Sequence, residues 1–173
     1  MKALQLPPQE LLLEHFEYNP DTGVVTLIKA RSTNTDINKV GNPVGTLSNR
    51  GYLIVCLNNK RYLLHRIIYK MVTGEEPTFV DHRDGNPMNN KWTNLRSATQ
   101  QQNNSNTTLR SDNTSGLKGV SWNKSSQKWK STICKDGSTI HLGLYNTKEE
   151  AHEAYCNKGK ELFGEFFHDG QPK

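Results

Sequence analysis

Asp81 and His82 are adjacent, Asn94 follows His82 by twelve residues, and Asn103 follows Asn94 by nine. These types in this order could hydrolyse a phosphodiester. A histidine titrates near working pH and can take a proton from water. A carboxylate and an amide oxygen are hard donors that suit Mg²⁺ or Mn²⁺. Few protein ligands would leave coordination positions for water and phosphate. Each residue also has a plain reading, with Asp81-His82 as polar turn residues, Asn94 as a cap and Asn103 as part of a linker. The ordered set, with basic residues just upstream, is what points to chemistry.

The elements that must position these groups lie in residues 79–103, FVDHRDGNPMNNKWTNLRSATQQQN. The pattern predicts strand, loop, strand, helix. Asp84, Gly85, Asn86 and Pro87 build the turn. Ser97 and Gln100 have capping-box spacing for a helix that carries Asn103. Successive strand residues point to opposite faces. Asp81 and His82 can therefore share one site only at a strand end, a kink or the sheet edge.

Upstream, Pro8 suits the first turn of a helix bearing Leu11, Leu12 and Phe16. YNPDTG at 18–23 is a turn by its chemistry. Residues 23–29, 44–48, 52–57 and 61–64 read as strands, and 65–72 as a helix ended by Gly74. Residues 103–116, NNSNTTLRSDNTSG, contain one apolar residue, Leu109, and read as a linker. Beyond them, 118–122, 128–134 and 139–145 read as three strands. Asp136-Gly137 marks a hairpin turn. Thr147 and Glu150 form a capping box for a helix running to about Phe163, with Ala151, Ala154, Tyr155 and Leu162 facing inward.

The apolar fraction is only 33%, so the core must be modest or divided. The net charge of +5 is distributed in patches. Residues 29–70 hold eight basic side chains against one acid, and 114–145 hold five lysines against one acid. Patches of this kind suit a polyanion. No apolar run approaches the roughly 18 residues of a membrane span, and no secretory signal is expected at the N-terminus. The three cysteines include no CxxC pair, which disfavours a cysteine zinc site and fits a reducing intracellular compartment, that of the host cell if the gene is a phage's.

Residues 80–103 resemble the HNH nucleases of many phage and intron-encoded endonucleases. The motif is VDHRDGN at 80–86, Asn89-Asn90, Asn94-Leu95-Arg96 and Gln102-Asn103, preceded by the 18–23 turn, Gly51-Tyr52-Leu53 and Leu64-His65-Arg66. The resemblance implies a ββα fold around one divalent ion. It makes Asp81 and Asn103 the metal ligands and His82 the general base. Asn94 becomes the middle Asn, which holds the loop. Many members have a third His where this chain has Asn103, and many carry zinc on four cysteines, which this chain lacks. Mg²⁺ is therefore expected, with Mn²⁺ as the alternative and no zinc. Arg66 could meet a phosphate, and His65 reads as structural.

Residues 116–167 are similar to the AP2 DNA-binding domain, through SGLKGVSW at 115–122, Lys128-Trp129-Lys130, HLGLY at 141–145 and TKEEAHEAY at 147–155. That resemblance implies a three-stranded antiparallel sheet packed on one helix, with its other face in the major groove. Strand alternation agrees. Trp129, Ser131 and Ile133 oppose Lys128, Lys130, Thr132 and Cys134, while Ile140, Leu142 and Leu144 oppose Thr139, His141 and Gly143. The positions matching DNA contacts are Lys118, Ser121, Asn123, Lys128, Lys130, Thr132 and His141. Lysine is a point charge without arginine's fork, so anchoring is expected more than base readout. Trp122 and Trp129 read as packing residues.

The expectation is an α+β chain. Residues 1–103 form a nuclease domain with its core motif at 79–104, 104–115 link, and 116–167 form the AP2-like domain. The expected function is metal-dependent cleavage of double-stranded DNA, by a monomer or homodimer with no membrane association. The alternative is a non-catalytic DNA-binding protein with a decayed nuclease site.

Overall fold

The computed structural model describes residues 4–29 and 39–171. Arg31 and Asp36, counted in the first basic patch, lie outside them. The fold is α+β and divides into two compact units, 1–98 and 99–173.

In the first unit, α1 (Gln9–His15) starts at Pro8 and leads directly into β1 (Phe16–Tyr18). β1 pairs antiparallel with β2 (Val25–Leu27), shorter than the strand expected over 23–29. β3 (Thr46–Leu47), β4 (Leu53–Leu57) and β5 (Lys60–Leu63) form a meander. Asn58 and Asn59, with φ of 49° and 60°, make the two-residue turn between β4 and β5. α2 (Leu64–Thr73) ends at Gly74, whose φ of 77° is the left-handed cap glycine favours. Leu12, Phe16, Leu27, Leu57, Ile67 and Ile68 are among the residues that fill the core.

β6 (Phe79–His82) and β7 (Leu95–Ala98) form an antiparallel pair. His82 is the last residue of β6, the strand-end position that lets Asp81 and His82 serve one site. Ser97 does not cap the next helix. β7 continues through Ala98, which pairs with Phe79, so Ser97 stays extended. The capping box is instead Thr99 with Gln102, and it starts α3 (Gln100–Ser105).

The second unit begins at Thr99, upstream of the expected boundary. The segment read as a linker is not merely solvated chain. Ser115 Oγ donates to the carbonyl of Val120 at 2.9 Å, Asn113 Nδ2 to that of Leu117, and Leu109 N to that of Gly170. Its polar groups bind backbone, which a composition rule cannot foresee.

β8 (Val120–Asn123), β9 (Lys128–Lys135) and β10 (Ser138–Tyr145) form an antiparallel sheet against α4 (Lys148–Phe163). Asp136 and Gly137 make the hairpin turn, and the Thr147–Glu150 box starts α4. The inner face of α4 is Ala151, Tyr155 and Gly159. Gly159 is there because a Cβ would lie 2.0 Å from the Phe167 ring.

One expected face is corrected. A bulge between His141 and Gly143 shifts the register, so Leu144 pairs with Lys130 and Tyr145 with Trp129. Leu144 therefore joins the polar face, 39% exposed, and Tyr145 takes the inner parity. The backbone of Gly143 has φ of +143°, and its N–H donates to His141 Nδ1 at 2.9 Å.

Ser131 is fully buried under this sheet and its hydroxyl has no hydrogen-bond partner among the described residues. Removing a buried unsatisfied hydroxyl recovers its desolvation cost. Ser131→Ala should raise the unfolding free energy by about 1 kcal/mol in chemical denaturation. A loss of stability would show that the hydroxyl is satisfied.

Candidate functional site

The loop between β6 and β7 is closed by asparagines and one aspartate. Asn94 Nδ2 donates to Asp84 Oδ1 at 2.9 Å and to the Asn89 carbonyl at 2.7 Å. Asn94 Oδ1 accepts from Asp84 N at 3.0 Å, and the Asn94 carbonyl accepts from Arg83 N at 2.9 Å. Asp84 also accepts from Asn89 Nδ2 and Asn86 N. Burial pushes the Asp84 carboxyl up, but the hydrogen bonds from Asn89, Asn86 and Asn94 outweigh it and hold it below its ordinary value. Asn94 thus grips the loop.

His82 is buried. Its Nε2 lies 3.1 Å from Asn90 Oδ1. The edge of the His65 ring lies 5.0 Å from it between centroids, and the Tyr52 ring 6.2 Å. Burial holds the His82 imidazole below its ordinary value, although the Asn90 hydrogen bond and the Asp84 and Asp81 charges act the other way. His65, at the start of α2, is pushed down to about 3, chiefly by burial, with repulsion from His82 and Arg66 adding to it. At neutral pH the two histidines pack as uncharged rings.

Asp81 is buried and sits opposite Arg96 in the register of the hairpin. Arg96 Nε and Nη2 both lie 2.8 Å from Asp81 Oδ2. A buried pair of this kind costs about 3–5 kcal/mol when one partner is removed, because the other charge is left uncompensated. Asn103 lies half-buried on α3, in the second unit. Among the described residues, no group of three or more His, Cys, Asp or Glu is gathered that could hold a metal ion. The donors the motif supplies are hard oxygens, which fit Mg²⁺ and leave positions to be filled by water or phosphate.

Two expected DNA contacts are corrected. Arg66 is buried, and its guanidinium donates to the carbonyls of Leu4 and Pro77 and to Glu76. It ties α2 to neighbouring chain. Lys118 Nζ donates to the carbonyls of Ser105, Thr107 and His168, at 2.9, 2.7 and 2.9 Å. Burial pushes its ammonium down to about 8. It is a staple among three segments of the second unit.

The remaining positions lie on the outer face of the sheet or at its edge. Ser121 pairs with Lys130, and Lys130 with Leu144. Asn123 pairs with Lys128, and Thr132 with His141. Ser121, Lys128 and His141 are exposed, while Lys130 and Thr132 are half-buried. Asn123 Oδ1 accepts from Ser125 and Ser126 backbone and from Ser125 Oγ, so its oxygen serves the turn. Trp122 packs edge-on against Trp129 at 5.0 Å yet remains 48% exposed. Tyr52, Asn90 and Arg96 stood in the motif without a role. Only pairing register and ring proximity reveal theirs.

Residues 62–105 match the HNH endonuclease model, and 115–165 match the AP2 domain model. A protein of Escherichia phage T7, protein 3.8, is 34% identical over 104 residues, which is 59% of this chain and 85% of that protein. This chain belongs to the HNH endonuclease family. It joins the HNH segment to an AP2 domain. An uncharacterized HNH endonuclease of Acanthamoeba polyphaga mimivirus is 40% identical over 106 residues, 60% of this chain. The chain spans about half of that relative, 54%. The structure of DNA binding and cleavage by the HNH homing endonuclease I-HmuI aligns over 83% of this chain and 76% of its own, with TM-score 0.41 and 25% identity.

Lys118→Met in this HNH-family chain should lower the stability of the second unit by about 1–3 kcal/mol, since three carbonyls lose their donor. Denaturant unfolding followed by Trp fluorescence reads it. Unchanged stability would return Lys118 to the set of candidate contacts.

Proposed function

We propose that this chain is a metal-dependent endonuclease acting on double-stranded DNA. The observation that carries the reading is His82 at the end of β6, buried, held at Nε2 and set beside Asp81. His82 takes the proton from the attacking water. Asp81 is the carboxylate assigned to a divalent ion, Mg²⁺ with Mn²⁺ as the alternative. The ion, when bound, neutralises the phosphate and stabilises the leaving oxygen. Asn103 is assigned by its motif position as a further oxygen donor. Asn94 and Asp84 hold the loop in place.

The outer face of β8–β10 is the proposed DNA surface, with Lys128 and Lys130 as phosphate anchors and Ser121, Thr132 and His141 around them. A second reading, a DNA-binding protein without cleavage, is favoured by one observation: Arg96 engages Asp81 Oδ2. Nicking of supercoiled plasmid with and without Mg²⁺ separates the two readings.

His82→Ala should slow nicking by at least about 10²-fold, the scale of a general base, with little change in DNA affinity. Equal rates would remove His82 from the mechanism. Asp81→Asn is the better test of the carboxylate than Ala, because it leaves an acceptor for Arg96. It should abolish nicking at Mg²⁺ concentrations that saturate the wild type. Asn103→Ala should shift the Mg²⁺ titration to higher concentration, and an unshifted titration would remove Asn103 from the ligands.

Lys128→Ala combined with Lys130→Ala should flatten the dependence of log K on log salt by about 0.9 for each phosphate no longer neutralised. An unchanged slope between about 50 and 200 mM salt would mean that this sheet face does not hold DNA.

A further inference from the structure

The imidazole of His82 is oriented from a distant part of the chain. Asn90 Oδ1 lies 3.1 Å from His82 Nε2, and Asn90 Nδ2 points to the Met88 carbonyl at 3.5 Å. An amide oxygen only accepts, so the proton of a neutral His82 sits on Nε2. Asn90 is buried and sits in the chain between β6 and β7. Its backbone is clamped by the turn at 18–23. Tyr18 Oη donates to the Asn90 carbonyl at 2.8 Å, and Trp92 N donates to the Pro20 carbonyl at 3.0 Å. Gly23 lies so close that a Cβ would stand 2.6 Å from both the Asn90 carbonyl carbon and Lys91 N. Its φ of 77° also favours glycine. Tyr18, Pro20 and Gly23 of this turn thus meet Asn90, Trp92 and Lys91.

We propose that Asn90 is a positioning residue that holds His82 as the Nε2-protonated tautomer, and that the 18–23 turn, through Tyr18 and Gly23, fixes Asn90 for that task. The proposal rests on the reading of His82 as the base, and adds residues that act through it. Because the Asn90 oxygen acts on the imidazole, its loss should affect the rate of cutting and not the hold on DNA. An acceptor oxygen at the same place should restore the tautomer, which a merely structural role would not require.

The experiment uses the full chain, ¹⁵N-labelled, with long-range ¹H–¹⁵N spectra to read the His82 tautomer and plasmid nicking to read the rate. The wild type should show the Nε2-protonated form alone. Asn90→Leu should give a mixture of tautomers, and nicking should fall roughly 10- to 100-fold, the scale of a misplaced catalytic group, at an unchanged half-saturating DNA concentration. Asn90→Asp should restore the single tautomer and cut faster than Asn90→Leu. Tyr18→Phe removes one hydroxyl from the clamp and should lower the rate with the same unchanged half-saturation. If Asn90→Leu keeps the single tautomer and the wild-type rate, the positioning role is wrong. If Asn90→Leu does not fold, the Tyr18→Phe protein decides, and a wild-type tautomer and rate in that variant overturn the proposal. A wild type that does not nick DNA with Mg²⁺ ends the nuclease reading, while the tautomer spectra still judge the Asn90 contact.

Discussion

Asn94 closes the loop between β6 and β7 with side-chain bonds to Asp84 at both ends of its amide and to the Asn89 carbonyl. A loop of this length must lose much conformational entropy to hold one shape. Three hydrogen bonds from one buried side chain, and the acceptor bonds of Asp84, offset that loss. The geometry of His82 depends on the closure. Asn90 reaches the imidazole only because the loop between Asp84 and Asn94 is folded back on itself. The amide is suited to this because it donates and accepts at one site. A carboxylate at position 94 could not donate to Asp84 and would repel it.

Burial is the second constraint, and it bears on both His82 and Asp81. Desolvation disfavours charge, so the histidines stay neutral. That keeps the proposed base able to accept a proton, and it lets His65, Tyr52 and His82 pack as rings. Arg96 faces Asp81 across the hairpin and donates to its Oδ2. The pair joins the carboxylate to the sheet.

In the second unit a single bulge decides which face meets solvent. Without it, Leu144 would lie inward with Ile140 and Leu142, and Tyr145 outward. The extra residue at Leu142 reverses the parity of Leu144 and Tyr145. The polar face then carries lysines, hydroxyls and a histidine, with one leucine among them. Lys118 bonds to carbonyls from α3, from the chain after it and from the C-terminal segment, so the 104–115 stretch is structural in that unit.

The order of elements, both capping signals at Thr147 and Gly74, the Asp136-Gly137 turn, and the pair Asp81-His82 were legible in the sequence. They rest on local chemistry: which residues accept positive φ, which side chains cap, and which alternate. The two-unit organisation was legible too, but not the boundary at Ala98, because polar composition does not reveal which backbone groups a segment binds. Partners across the chain were beyond local reading. Arg66 and Lys118 look like surface cations in sequence; Arg66 is buried, Lys118 is half-buried, and both donate to carbonyls. Asn90, Tyr18 and Arg96 meet partners 8, 72 and 15 positions away. Residue types and spacing determined what chemistry the chain could attempt. The tertiary structure decided which side chains face one another, because strand register, a bulge and burial depend on contacts that no local sequence window contains.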